Sequence, residues 1–228
     1  MTVSSTARVL LVLTSHDDLG GVRSTGFYLD EAAEPWQVFT AAGYAVDLAS
    51  VRGGVPPQDG RRPGDPLQEE FLDDPRVAGA LADTLALADV DGGGYDAVFY
   101  VGGHGTMWDF PSAPDVARIG REVYENGGVV AAVCHGPAAL LNLTLSDGTH
   151  LVEGRRVTGF SNAEEEAVGL VGVVPFLLAD ELNARGATHL PAENFTENVV
   201  DDGRLVTGQN PQSAAGVARR TVAVLADR

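Results

Sequence analysis

Residues 8–14 read RVLLVLT, an apolar run that turns polar only at its end. A strand buried on both faces has this pattern, because neither face can take a polar side chain. Residues 45–50 (AVDLAS), 95–101 (YDAVFYV) and 129–133 (VVAAV) repeat it. A polar, Gly-containing loop fills residues 15–25. Helical character follows over 31–42, with Pro35 near the first turn, where its missing N–H costs nothing, and Gly43 as the C-cap. Residues 77–87 predict an Ala/Leu-rich helix, and 114–126 a helix ended by Gly127-Gly128. Residues 156–160 predict a short strand, and 175–185 (PFLLADELNAR) an amphipathic helix capped by Gly186. Residues 198–207 hold two extended pieces around the Asp202-Gly203 turn, and 213–225 form the final helix.

Strands alternate with helices, without an internal repeat or a linker. The pattern predicts an α/β fold: a mostly parallel sheet with helices on both faces. One domain is expected over 1–228, with a Gly-, Pro- and Asp-rich surface excursion at 51–74.

Charge narrows the partners. The net charge is -17, and all fifteen basic residues are arginine. Phosphate-rich surfaces would be repelled, so neither nucleic acid nor an anionic membrane is an expected partner. The absence of lysine excludes Schiff-base catalysis by a lysine amine. No apolar run reaches a membrane span, and residues 1–8 lack a basic start and a long apolar stretch, so a cytoplasmic location is expected. One cysteine excludes an intrachain disulfide and any zinc site built on two cysteines of the chain. The histidines at 16, 104, 135, 150 and 189 show no pair at helical ligand spacing. Neither a metal nor a cofactor is expected.

Chemistry gathers at residues 129–141 (VVAAVCHGPAALL). An apolar strand stops at Cys134, and Pro137 opens what reads as a helix. That is the layout of a nucleophile elbow, a sharp turn that lifts a reactive atom above the sheet. Ala132 and Gly136 supply the small neighbours such a turn needs. A helix N-terminus beneath Cys134 would favour the thiolate. The bland alternative is an inert core cysteine, which the adjoining His-Gly-Pro argues against.

Gly102-Gly103-His104-Gly105 lies at the carboxyl end of another buried strand, where ligands bind in open α/β sheets. The Gly103 N–H, with that of His135, could hold a developing oxyanion. A phosphate cradle is less well supported, since the Lys-Ser/Thr of a P-loop is missing. His135 can reach the thiol from the side if a carboxylate orients its ring. Candidate carboxylates lie in 161–166 (SNAEEE), although acids also suit the first turn of any helix. Glu31 is a further carboxylate; beside a thiol its pKa would rise and the two could share a proton.

Five segments in order resemble one family: TGFYLDEAAEP (25–35), VGGHG (101–105), AVCHGP (132–137), VTGFSNAEEE (157–166) and TGQNPQS (207–213). The chain resembles the ThiJ/PfpI superfamily, of class I glutamine amidotransferase-like fold. Residues 25–31 and the 51–74 excursion are similar to its heat-shock chaperone and glyoxalase III branch. The resemblance implies a flavodoxin-like three-layer sandwich with Cys134 as nucleophile and His135 as its catalytic neighbour. It implies Glu165 as the triad carboxylate, with Glu164 as fallback, and Glu31 against the thiol. Gly102, Gly103 and His104 are the implied oxyanion and substrate-binding segment. The implied activity is glutathione-independent conversion of methylglyoxal to lactate through a hemithioacetal, with deglycase action as an extension. The expected partner is a small aldehyde, and a homodimer is compatible with the resemblance. The same site would also suit a holding chaperone, a cysteine redox or stress sensor, or a cysteine peptidase or amidase.

Overall fold

A computed structural model describes residues 6–227. The expectation of no leader at residues 1–8 therefore lies mostly outside the described residues. The chain runs β1 (Arg8–Leu13), β2 (Phe27–Tyr28), α1 (Leu29–Ala41), β3 (Ala45–Ser50), β4 (Arg52–Gly54), β5 (Gln58–Asp59), α2 (Pro66–Asp73), α3 (Pro75–Ala82) and β6 (Thr84–Ala86). It continues with β7 (Ala97–Tyr100), α4 (Thr106–Asp109), α5 (Pro114–Glu125), β8 (Val129–Val133), β9 (Arg156–Val157), α6 (Asn162–Ala167), α7 (Leu178–Ala184), β10 (Thr188–His189), β11 (Val199–Asp202), β12 (Leu205–Gly208) and α8 (Ala214–Ala226).

The central sheet has the order β11-β12-β8-β7-β1-β3-β6-β4. Its two edge strands, β11 and β4, run antiparallel to their neighbours, and the other pairings are parallel. Alternate residues of β1 feed opposite cores. Leu10 and Val12 pack with Val116, Ile119 and Val123 of α5. Val9, Leu11 and Leu13 pack with Phe39 of α1, Val77 of α3 and Val217 of α8. Each such side chain contributes about 1.5–3 kcal/mol when fully buried, which is why the run admits no polar residue. The result is the three-layer, flavodoxin-like α/β sandwich. The carboxyl ends of β1, β7, β8 and β12 share one edge of the sheet, because these strands are parallel.

Five local expectations need correction. The 77–87 helix stops at Ala82, and residues 84–86 instead pair with β3 and β4. The same helix starts two residues early, at Pro75, because Asp74 caps its N-terminus, accepting from the Arg76 and Val77 N–H groups. The 51–74 excursion is structured: it carries β4, β5 and α2, and Asp65 caps α2. Residues 156–160 give only a two-residue strand, paired with β10 outside the central sheet. The 175–185 helix shortens to Leu178–Ala184. The helix expected after Cys134 is also shorter, a five-residue 3-10 turn over Gly136–Leu140.

Candidate active site

Cys134 ends β8 with φ of 59°, a left-handed backbone conformation unusual for a residue with a side chain. Three contacts hold it there. Its N–H donates to the Gly208 carbonyl at 2.9 Å, and its own carbonyl accepts from the Phe160 N–H at 2.8 Å. Thr106 Oγ1 is shared by the Gly103 and His135 carbonyls, at 2.9 and 3.0 Å. Two glycines permit the crowding. A Cβ on Gly102 would sit 2.2 Å from Glu31 Oε2 and 2.5 Å from the Val133 carbonyl oxygen. One on Gly136 would sit 2.3 Å from the Tyr100 carbonyl oxygen.

The side chains form a relay. Cys134 Sγ lies 3.3 Å from His135 Nδ1, and His135 Nε2 lies 2.8 Å from Glu165 Oε2. The other Glu165 oxygen lies 3.0 Å from His104 Nε2. One carboxylate thus bridges two imidazoles whose ring centroids are 4.0 Å apart. Phe160 covers His135, with centroids at 4.4 Å. Burial, and then the neighbouring His104, push the His135 pKa down to about 4. Burial alone would raise Glu165, but the hydrogen bonds from His104 and His135 outweigh it, and its carboxyl falls to about 2. At neutral pH Glu165 is therefore an anion, which can only accept, so Nε2 of His135 donates to it. That leaves the Nδ1 lone pair facing the thiol.

Glu31 is the third residue of α1 and fully buried. Neither of its oxygens has a hydrogen-bond partner of good geometry. Its carboxyl faces Cys134 and the Gly102 N–H, and burial raises its pKa well above the carboxylate range. Burial, then the Glu31 charge, also push the Cys134 thiol up. This corrects the expected thiolate. A five-residue turn supplies little dipole, and two anions side by side in a dry site repel. Burial thus works against the charged form of Cys134, Glu31 and His135 alike.

Every expected site residue except Glu164 meets here. Glu164 serves the frame instead. Its Oε2 accepts from the Ser161 N–H and hydroxyl, and its Oε1 accepts from the Phe195 N–H and Asn210 Nδ2. This capping box starts α6 and aims the next residue, Glu165, at the histidines. Sequence reasoning missed Thr106, Asn210 and the Phe160 ring. It also placed His104 toward the oxyanion, whereas the ring sits on Glu165. The Ser-x-x-Glu spacing at 161–164 was a usable sign that Glu164 is a cap.

The excursion reaches this site indirectly. Arg62 and Gln68 both donate to Asp30, the residue before Glu31. Together with the β2–β5 pairing they fix the start of α1.

Several known proteins are similar to this chain along nearly its whole length. The DJ-1/PfpI family model matches residues 22–223. Glyoxalase 3 of Candida albicans is 36% identical over 95% of this chain and 97% of its own length. Glutathione-independent glyoxalase HSP31 of Saccharomyces cerevisiae is 35% identical over 96% of this chain and 98% of its own length. The crystal structure of Candida albicans glyoxalase III superposes with a TM-score of 0.89, at 34% identity, covering 96% of this chain and 97% of that one. With the elbow, the relay and these likenesses together, the chain belongs to the DJ-1/PfpI family.

Proposed function

We propose that this protein is a glutathione-independent glyoxalase that converts methylglyoxal to lactate. The observation that carries the reading is a buried thiol with the His135 imidazole nitrogen at 3.3 Å and a fully buried carboxyl, Glu31, whose burial favours its protonated form. The names of the two yeast relatives support the reaction class.

The proposed steps balance without a cofactor. Cys134 Sγ adds to the aldehyde carbon, His135 Nδ1 takes the thiol proton, and Glu31 protonates the oxygen, giving a hemithioacetal. Burial makes the resulting Glu31 carboxylate a strong base, so it removes the C1 proton while imidazolium His135 protonates the C2 oxygen. The enediol collapses when Glu31 returns a proton to C2 and His135 takes the one on the C1 oxygen. C1 has been oxidised and C2 reduced, and the product is a lactoyl thioester on Cys134. Water then cleaves the C–S bond; Glu31 accepts its proton and His135 protonates the departing sulfur. Glu165 holds the imidazolium through Nε2. The His135 backbone N–H already points at the sulfur, and with Gly103 it would steady the oxyanion. The Gly102 N–H faces the Glu31 carboxyl, so Gly103 is the better second donor.

A small aldehyde suits the site better than a peptide, because Cys134 is 4% exposed and Glu31 and His135 are fully buried. The same burial, with a thiol pushed up rather than down, disfavours a primary oxidation sensor. A single cysteine and an acidic chain suit a reducing cytoplasm. The test is lactate formation from methylglyoxal by the purified protein after dialysis, without glutathione. Turnover is expected under these conditions. No lactate, or lactate only when glutathione is added, would overturn the reading.

A further inference from the structure

The bridging of one carboxylate by two imidazoles is more than a catalytic triad needs. One ligand atom from each of His104, His135 and Glu165 lies within 4.8 Å of the other two. The two closest approaches are 3.0 and 2.8 Å. Zinc bonds to nitrogen and carboxylate oxygen are about 2.0–2.2 Å, so tetrahedral ligands stand about 3.3 Å apart. To seat a cation, the two short contacts would lengthen by a few tenths of an ångström and the wider separations, up to 4.8 Å, would close toward that value. We propose that His104, His135 and Glu165 form a second-use site for a zinc-like divalent cation, and that the cation switches the thiol chemistry off.

Ligand chemistry supports this. Two imidazoles and a carboxylate suit borderline transition cations, and three protein ligands leave a fourth position for water. The net charge of -17 draws cations toward the molecule. His104, at 15% side-chain exposure, is the ligand nearest solvent and the route of entry. Inhibition follows from tautomers. Binding at Nε2 of His135 moves the single proton of its neutral imidazole to Nδ1. His135 Nδ1–H would then face Cys134 Sγ, and the lone pair that takes the thiol proton would be gone. The sulfur lies on the opposite edge of the His135 ring from Nε2, so it is not a ligand.

Cobalt(II) titration of the intact protein reads the site without relying on methylglyoxal turnover, so this proposal and the glyoxalase reading can fail separately. Wild type is expected to bind one equivalent with visible d–d bands and no sulfur-to-cobalt charge-transfer band. Those bands should persist in Cys134→Ser and disappear in His104→Gln and Glu165→Gln, with circular dichroism confirming that each variant is folded. Zinc should displace the cobalt. Unchanged bands in folded His104→Gln would overturn the proposal, as would a charge-transfer band that vanishes in Cys134→Ser. Where turnover is measurable, zinc should abolish it and a chelator should restore it.

Discussion

At Cys134, a backbone in the left-handed region costs about 1–2 kcal/mol for a residue with a Cβ. The cost is offset by hydrogen bonds to Gly208 and Phe160 on either side of the same residue. The strain turns Sγ toward His135 and Glu31 rather than into the core. Two consequences are measurable. First, the two carboxylates do different work. In the proposed mechanism Glu31 carries protons through every step, whereas Glu165 steadies an imidazole that Phe160 also holds. Glu31→Gln should therefore lower kcat/KM by about 10³ and Glu165→Gln by about 10–100, within the range of general acid–base effects. Near-wild-type rates in both would remove the assignment. Second, the base must be neutral. His135 is depressed to about 4, so activity is present above that pH and lost as pH falls through it. The acid limb of kcat/KM should lie near 4, well below the value of about 6.5 for a free imidazole. A limb at 6 to 7 would mean that another group is the base.

At the scale of elements, glycine positions separate the frame from its decoration. Gly79 lies in exposed α3, and an added Cβ would meet nothing within 4 Å. Gly79→Ala should raise the unfolding free energy by about 0.5–1 kcal/mol, as measured by denaturant titration. Gly102→Ala drives a methyl group into Glu31 and the Val133 carbonyl, and should cost at least about 1–3 kcal/mol. Equal effects at the two positions would contradict the crowding described for the elbow. The buried strands were legible, because runs such as 8–13 and 129–133 have both faces in a core and cannot hide it. The meeting of Cys134 and His135 was legible because a strand end fixes where their side chains go, whereas the place of Glu31 against the thiol came only through the family resemblance. The bounds of α3 and α7 were not legible, because the apolar pattern runs past both helices and the Asp74 cap sets only where α3 starts. The second imidazole was not legible either. His104 and Glu165 are 61 residues apart, and no spacing rule joins two loops.

The whole molecule is an acidic shell around an apolar sheet. No helix among the described residues is long and apolar enough to cross a membrane. Many arginines are spent on nearby acids, as in the Arg62 pairing with Asp30 and Asp65 and the Arg118 pairing with Asp115 and Glu122. A net charge of -17 remains to repel itself. Sodium chloride screens that repulsion, so Tm should rise by a few degrees between low salt and roughly 0.5 M. A Tm that falls with salt would mean that the arginine pairs outweigh the excess charge.

The central claim is that Cys134 carries the substrate covalently. Wild type and Cys134→Ala are each mixed with methylglyoxal, quenched early for intact-mass spectrometry, and followed to completion for lactate. Wild type should gain the mass of one methylglyoxal, mapped to the peptide containing Cys134, and accumulate lactate. Cys134→Ala should do neither while keeping its fold. Lactate formed at the wild-type rate by Cys134→Ala would contradict the account.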